Sequence, residues 1–292
     1  MKLKAGFVSI LGKPNVGKST LMNALIGERL AVITNKAQTT RHRIKGILSG
    51  DDFQIVFSDT PGILKPYYKM HEAMMTQVDE AIEDADIVIY MIDPETRELD
   101  ATLQQLTKKK LHKLIIAINK IDTCSQVETE SLLLHWQQML PQAEIIPISS
   151  LHQFNTKSVI NTIVDNLPEH PAYYPKDELT DRTYRFFVSE IIRGKILNLY
   201  QKEVPYSVEV VVDEFKEEPE ITRIRALIFV ARESQRIILI GHKGNMIKKL
   251  GIEARKEIES FLQQKVYLEL TVKVDKDWRD SEQALKRFGY II

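Results

Sequence analysis

The chain has 292 residues, with 40 Lys and Arg balanced by 40 Asp and Glu, and that length predicts two domains rather than one ordinary core. Its only cysteine, Cys124, excludes a disulfide framework and a cysteine-based metal cluster. No apolar run approaches the roughly 20 residues that cross a bilayer, and Met1-Lys2-Leu3-Lys4 leads straight into a strand pattern, so no signal peptide is expected.

The first strand pattern, Ala5–Leu11, is followed by Gly12-Lys13-Pro14-Asn15-Val16-Gly17-Lys18-Ser19-Thr20 and then by a helical stretch to Ile26. Glycines between a strand and a helix allow a tight loop whose N–H groups wrap a diphosphate, with the helix N-terminus adding donors. Lys18 is expected to reach the β- and γ-phosphates, and Ser19 to place its hydroxyl on Mg²⁺. The strand Ile55–Ser58 ends in Asp59-Thr60-Pro61-Gly62. A carboxylate at a buried strand tip lies where open α/β sheets bind ligands. Asp59 is therefore expected to hold Mg²⁺, and the Gly62 N–H to meet the γ-phosphate, which makes its segment a switch.

Asn119-Lys120-Ile121-Asp122 follows the strand Leu114–Ile118. Guanine offers N1–H and a 2-amino group that one carboxylate accepts together, and adenine would leave Asp122 unpaired. Asn119 is expected to bridge the base and its loop, and the stem of Lys120 to cover one base face. Ser149-Ser150, after the strand Glu144–Ile148, is expected to supply backbone N–H to guanine O6. Four such motifs in this order predict a GTPase.

Strands at 5–11, 43–48, 53–58, 87–92, 114–118 and 144–148 alternate with helices at 18–26, 69–85, 101–110, 128–139 and 156–167. The pattern predicts an α/β, doubly wound P-loop NTPase sheet over residues 1–167. The turn Ser49-Gly50-Asp51-Asp52 makes the second and third strands an antiparallel hairpin at the sheet edge. Three prolines between 168 and 175 open a stiff extended linker, 168–180.

Residues 181–292 then read as a smaller α/β domain. A helix over 181–200 is followed by strands at 206–215 and 221–231 and a short strand at 236–240. Gly241-His242-Lys243-Gly244 precedes helices at 245–251 and 252–264, a strand at 266–274 and a last short helix at 281–288. The α-β-β-α-α-β order with Gly-x-x-Gly is the layout of a type II KH domain, which holds about four nucleotides of single-stranded RNA at that loop. Within 236–256, Arg236, Lys243, Lys248, Lys249, Arg255 and Lys256 face only Glu253. That local basic patch suits contact with a specific RNA. Gly241, His242, Lys243, Gly244, Arg236, Lys248, Lys249 and Arg255 are the expected RNA-binding residues.

The whole chain resembles the Era family of bacterial GTPases, the match running from Gly12 to about Arg255 and being especially close over Lys36-Ala37-Gln38-Thr39-Thr40-Arg41-His42-Arg43, the family's first switch. The resemblance implies a cytoplasmic monomer that binds GTP or GDP with Mg²⁺ and binds the 3′ region of 16S ribosomal RNA, not DNA. It also implies assistance to maturation of the 30S subunit and a peripheral association with the inner membrane. Ser150 departs from the family's usual Ala. Thr40 is the first choice for the Mg²⁺-sensing hydroxyl, with Thr39 the alternative. Ile63, after the second motif, cannot orient water as a glutamine does, so slow hydrolysis is expected. In resembling GTPases of this kind an Asn in the phosphate loop helps hold K⁺, which gives Asn15 that role or a simple bracing one. Asn15, Lys18, Thr40 and Gly62 are thus the expected catalytic set. Two other classes are weighed against this reading: an RNA-modifying enzyme, for which the sequence offers no cysteine nucleophile outside Cys124, no metal cluster and no second cofactor loop, and a membrane-surface GTPase, for which the basic, apolar helix 182–200 is the candidate feature.

Overall fold

Strands that are apolar on both faces need helices on both sides, and a computed structural model, which describes residues 3–290, has that arrangement up to Asp181. The elements are β1 (Lys4–Gly12), α1 (Lys18–Ile26), β2 (Ile44–Ser49), β3 (Phe53–Asp59), α2 (Lys69–Asp84) and β4 (Ile87–Ile92). They continue with α3 (Ala101–Leu106), β5 (Lys113–Ile118), α4 (Gln126–Met139), β6 (Glu144–Pro147) and α5 (Thr156–Asn166). The sheet order is β2-β3-β1-β4-β5-β6. Only β2 is antiparallel, paired to β3 with Ile44 opposite Asp59. Strand β1 lies between β3 and β4, so the sheet's order reverses there, and the loop after β1 opens at that reversal. One face of the sheet buries Leu11, Tyr90 and Ile116 with Val78 of α2, Leu103 of α3 and Trp136 of α4. On the other face α1 packs on β2 at Gly46, where a Cβ would lie 2.1 Å from Ile26 Cδ1.

The proline-rich stretch is extended but seated on this first unit, not a free linker. Pro168 O accepts from Ala5 N (3.1 Å), and Leu179 O from Ile47 N (2.8 Å). The buried Gln54 accepts from Tyr173 N and Tyr174 N and donates to Tyr174 O. Backbone groups that a free linker would leave to water are thereby used in a ladder.

The second unit contains α6 (Tyr184–Leu199), β7 (Val208–Glu217), β8 (Thr222–Val230), α7 (Glu233–Ile240), α8 (Asn245–Leu262), β9 (Val266–Val274) and α9 (Glu282–Arg287). Its sheet is β7-β8-β9, antiparallel then parallel. Strand β8 alternates buried and outward residues, and its Ile224, Ala226 and Ile228 meet Val188, Ile192 and Ile196 of α6 and Leu250, Ala254 and Ile258 of α8. The apolar face of α6 is therefore spent in this core, and Phe186 lies outside it, edge-on to Phe187. Two expectations need correction here. Residues 236–240 are helix α7 instead of a strand, and 245–262 form one helix instead of two. The α-β-β-α-α-β order results all the same.

The units are not contiguous in sequence. The first comprises the chain up to Ala31, Thr40–Lys65 and Met74–Asp181, whereas Val32–Thr39 and Pro66–Ala73 cluster with the chain from Arg182 onward.

Candidate nucleotide and RNA sites

The loop between β1 and α1 depends on two glycines for different reasons. Gly17 is at φ 103, and a Cβ on it would sit 2.3 Å from Asn119 Nδ2. Gly12 is at φ 142 with a Cβ position 2.4 Å from Met91 O. Asn15 also adopts a left-handed conformation, φ 63. Lys13 and Asn15 face outward and Val16 is buried. The Lys18 ammonium is buried and donates to Gly12 O (3.1 Å) and Lys13 O (2.9 Å). Burial pulls its pKa down to about 8, against the upward pull of Asp59.

Ser19, Thr40 and Asp59 converge. Ser19 Oγ donates to Asp59 Oδ2 (2.6 Å), and Thr40 Oγ1 lies 2.8 Å from Ser19 Oγ and 3.2 Å from Asp59 Oδ2. Asp59 is fully buried, and its Oδ1 has no hydrogen-bond partner. Burial raises its pKa, with the Ser19 hydrogen bond and the Lys18 charge opposing. A buried, half-unsatisfied carboxylate beside two hydroxyls is an oxygen donor set that suits a small hard cation such as Mg²⁺. Thr39 is not part of it, because its hydroxyl faces Thr34 Oγ1 (2.6 Å) and Lys36 O (2.6 Å). Thr20 follows Ser19 on α1, and Thr60 Oγ1 is tied to Ile10 O (2.8 Å).

Pro61 is buried, and Gly62 approaches the phosphate loop so closely that a Cβ would lie 2.8 Å from Pro14. Ile63 N donates to Gly12 O (3.1 Å), while its side chain packs on the core cluster. No polar group from this position is available to orient water.

On the base side, Asn119 Nδ2 donates to Val16 O (2.7 Å) and Asn119 Oδ1 accepts from Ser150 N (2.9 Å). Asn119 thus ties the phosphate loop to the loop after β6. Ser149 Oγ donates to Asp122 Oδ1 (2.5 Å), and His152 Nε2 lies 3.9 Å from Asp122 Oδ2. Lys120 is exposed in a left-handed conformation, φ 64. The Ser149-Ser150 pair departs from expectation. The Ser149 and Ser150 N–H groups bond to Phe154 O and Asn119 Oδ1, and the Ser149 hydroxyl holds the Asp122 carboxylate. A side-chain role for this serine was hidden because Ser-Ser is a common turn dipeptide.

In the second unit, Gly241 (φ 72) and Gly244 (φ 78) bracket exposed His242 and Lys243 at the start of α8. A Cβ on Gly241 would press within 2.6 Å of Met246. Lys248 and Arg255 line a groove of about 370 Å³ together with Ile247, Ile252, Tyr267 and Leu270. Lys249 is exposed but outside that lining, and Arg236 is ion-paired with Glu233 at 2.5 Å. Tyr267 and Ile252, 51% and 41% exposed, leave apolar surface open in that groove, and the Tyr267 ring is the kind of face that can stack on a base. Neither carries a motif, so sequence reading passed over both.

The family described as a 50S ribosome-binding GTPase matches residues 7–120, and the KH domain family matches residues 203–279. GTPase Era from Clostridium kluyveri is 43% identical, covering 99% of this chain and 99% of that protein. GTPase Era from Staphylococcus haemolyticus is 42% identical over 99% of this chain and 97% of its own length. Among solved structures, a variant of Aquifex aeolicus Era bound to GDP and AlF4⁻ superposes with a TM-score of 0.93 at 37% identity, covering 99% and 100% of the two chains. Era in complex with MgGDPNP and nucleotides 1506–1542 of 16S ribosomal RNA superposes at 0.92, also at 37% identity, with 99% and 100% covered.

Proposed function

The chain belongs to the Era family of GTPases, and from that premise we propose that it is a cytoplasmic GTP-hydrolysing switch that binds 16S ribosomal RNA near its 3′ end and assists maturation of the small ribosomal subunit. The observation that carries the reading is the pairing of two complete sites on one chain. One unit holds Lys18, the Ser19–Thr40–Asp59 oxygen cluster and the Asp122 carboxylate. The other holds a Gly-x-x-Gly loop beside a basic, apolar groove. The 16S RNA held by the related Era supports the choice of RNA.

In this reading Lys18 shifts its ammonium from two loop carbonyls to phosphate oxygens, and Asp122 accepts both donors of the guanine edge while Ser149 and Asn119 hold the base loop in place. Ser19, Thr40 and Asp59 would hold Mg²⁺, which would supply positive charge against the phosphate oxygens. Because Ile63 packs against the core cluster and carries no polar group, it cannot position the attacking water, and that role would fall to groups of the phosphate loop. Asn15, exposed in that loop, would help hold a K⁺ ion that supplies positive charge beside the phosphates: hydrolysis is expected to be slow, and faster in K⁺ than in Na⁺ at equal ionic strength. Asn15→Ala is expected to erase that difference, and equal rates of the unaltered protein in both salts would exclude the ion.

The RNA assignment is tested by changing His242 and Lys243 together to Asp. Two carboxylates facing phosphates should weaken binding of a short single-stranded 16S 3′-end oligonucleotide by at least about tenfold, with GTP binding intact. Unchanged affinity in filter binding would move the RNA site elsewhere.

A further inference from the structure

Helix α6 is the first element of the RNA-binding unit, yet three of its features serve the segment Val32–Thr39, which clusters with that unit. Gly194 makes room for Val32, since a Cβ there would lie 2.6 Å from Val32 Cγ1. Tyr200 O, at the helix end, accepts from Lys36 Nζ (2.5 Å). The third feature is Arg193, fully buried. Its guanidinium is held by Glu190, through Nε to Oε1 at 2.8 Å and through Nη2 to Oε2. Nη1 donates to Gln38 O (3.2 Å) and Nη2 to Thr39 O.

A pair with Glu190 alone would satisfy the needs of a structural ion pair; two further donors aimed at consecutive carbonyls do something more. Gln38 is in a left-handed conformation (φ 58), uncommon for a residue with a side chain and maintained by its surroundings. Two residues further along the chain is Thr40, whose hydroxyl joins Ser19 and Asp59.

We propose that Arg193 is a positioning residue for the GTPase centre, its guanidinium fastening the carbonyls of Gln38 and Thr39 and so fixing where Thr40 enters the metal-binding oxygen cluster. Arginine suits this because its planar fork serves several acceptors at once while staying charged. A lysine has a point charge and cannot span the same acceptors.

The test uses the full chain with a non-hydrolysable GTP analogue and Mg²⁺. In Arg193→Gln, hydrogen exchange at the amides of residues 38–42 should quicken by about tenfold, on the scale of losing charged hydrogen bonds. The Mg²⁺ concentration for half-maximal hydrolysis should rise by about the same factor, while GDP affinity, which depends on Lys18 and Asp122, stays as it was. Arg193→Lys should fall between. Removing one buried charge strands the other, so the pair Glu190→Gln with Arg193→Met, which removes both members of this ion pair and leaves Glu209 its hydrogen bond from Tyr290, is measured in parallel and should show the same exchange and Mg²⁺ changes. Unaltered exchange over 38–42 and unaltered Mg²⁺ dependence in the folded paired variant would overturn the proposal and leave Arg193 a structural ion pair.

Discussion

For Asp122 to read a guanine base it would accept two donors at once, and that would require its carboxylate to be held edge-on. Ser149 supplies the hold from a loop 27 residues away in sequence. Asp122→Asn removes one acceptor and presents an amide donor that suits the 2-carbonyl of xanthine. GTP affinity should fall by at least about 100-fold, on the scale of lost paired hydrogen bonds, and XTP affinity should rise. Titration calorimetry that gave unaltered GTP binding would remove Asp122 from the base site. The residues of this site were largely legible in the sequence, because each motif is a short loop at the end of an apolar strand and its chemistry is local. What was not legible is how the motifs hold one another. Asn119 to Val16 and Thr40 to Ser19 are contacts across 103 and 21 residues. No local pattern separates Thr40 from Thr39; only the fold turns one hydroxyl to Ser19 and the other to Thr34.

At the scale of elements, α7 shows where local pattern misleads. The run Arg236-Ile237-Ile238-Leu239-Ile240 is rich in β-branched residues and reads as a strand. Its burial has a different period: Gln235 and Leu239 are inside, four residues apart, and Ile237 and Ile238 are 62% and 48% exposed. That is one buried stripe of a helix. The helix starts there because Gln235 reaches back and its Oε1 accepts from Ala231 N (3.1 Å) and Arg232 N (3.0 Å). A glutamine used in this way has no marker in sequence beyond its spacing. Gln235→Ala would leave these N–H groups unsatisfied, one of them buried, at a cost of about 1–3 kcal/mol. Trp136 and Trp278 are the two tryptophans and lie one in each unit, so a Trp136→Phe background makes Trp278 a sole reporter of the RNA-binding unit. In that background Gln235→Ala should lower the urea midpoint of the fluorescence transition, and an unmoved midpoint would mean that α7 needs no such cap.

At the scale of the whole molecule, the division of the chain does not follow the stiff linker at 168–180. Residues 168–180 are laid along the first unit, whereas the segments that lead into Thr40 and out of Gly62 cluster with the RNA-binding unit. Val32–Thr39 is held by Arg193 and Tyr200 of that unit. In Pro66–Ala73, Tyr68 lies under the Arg279 guanidinium at 4.4 Å, and Lys69 pairs with Glu282 at 2.8 Å. The exposed Lys69 pair is worth little by itself; the buried Arg193 contacts bind the segment more firmly. A γ-phosphate that drew Thr40 and Gly62 toward itself would act on residues whose neighbours along the chain cluster with the RNA-binding unit; within that unit Tyr200 donates its hydroxyl to Leu239 O (2.8 Å), two residues before Gly241. The GTP form is accordingly expected to bind small-subunit RNA more tightly than the GDP form, by about 1–3 kcal/mol of coupling. Linkage then requires that RNA tighten the GTP analogue relative to GDP by the same factor. Six affinities decide it: RNA with each nucleotide bound, and each nucleotide with and without RNA. A closed cycle with no difference would mean that the two sites share a chain without sharing free energy, whatever the packing of the segments between them.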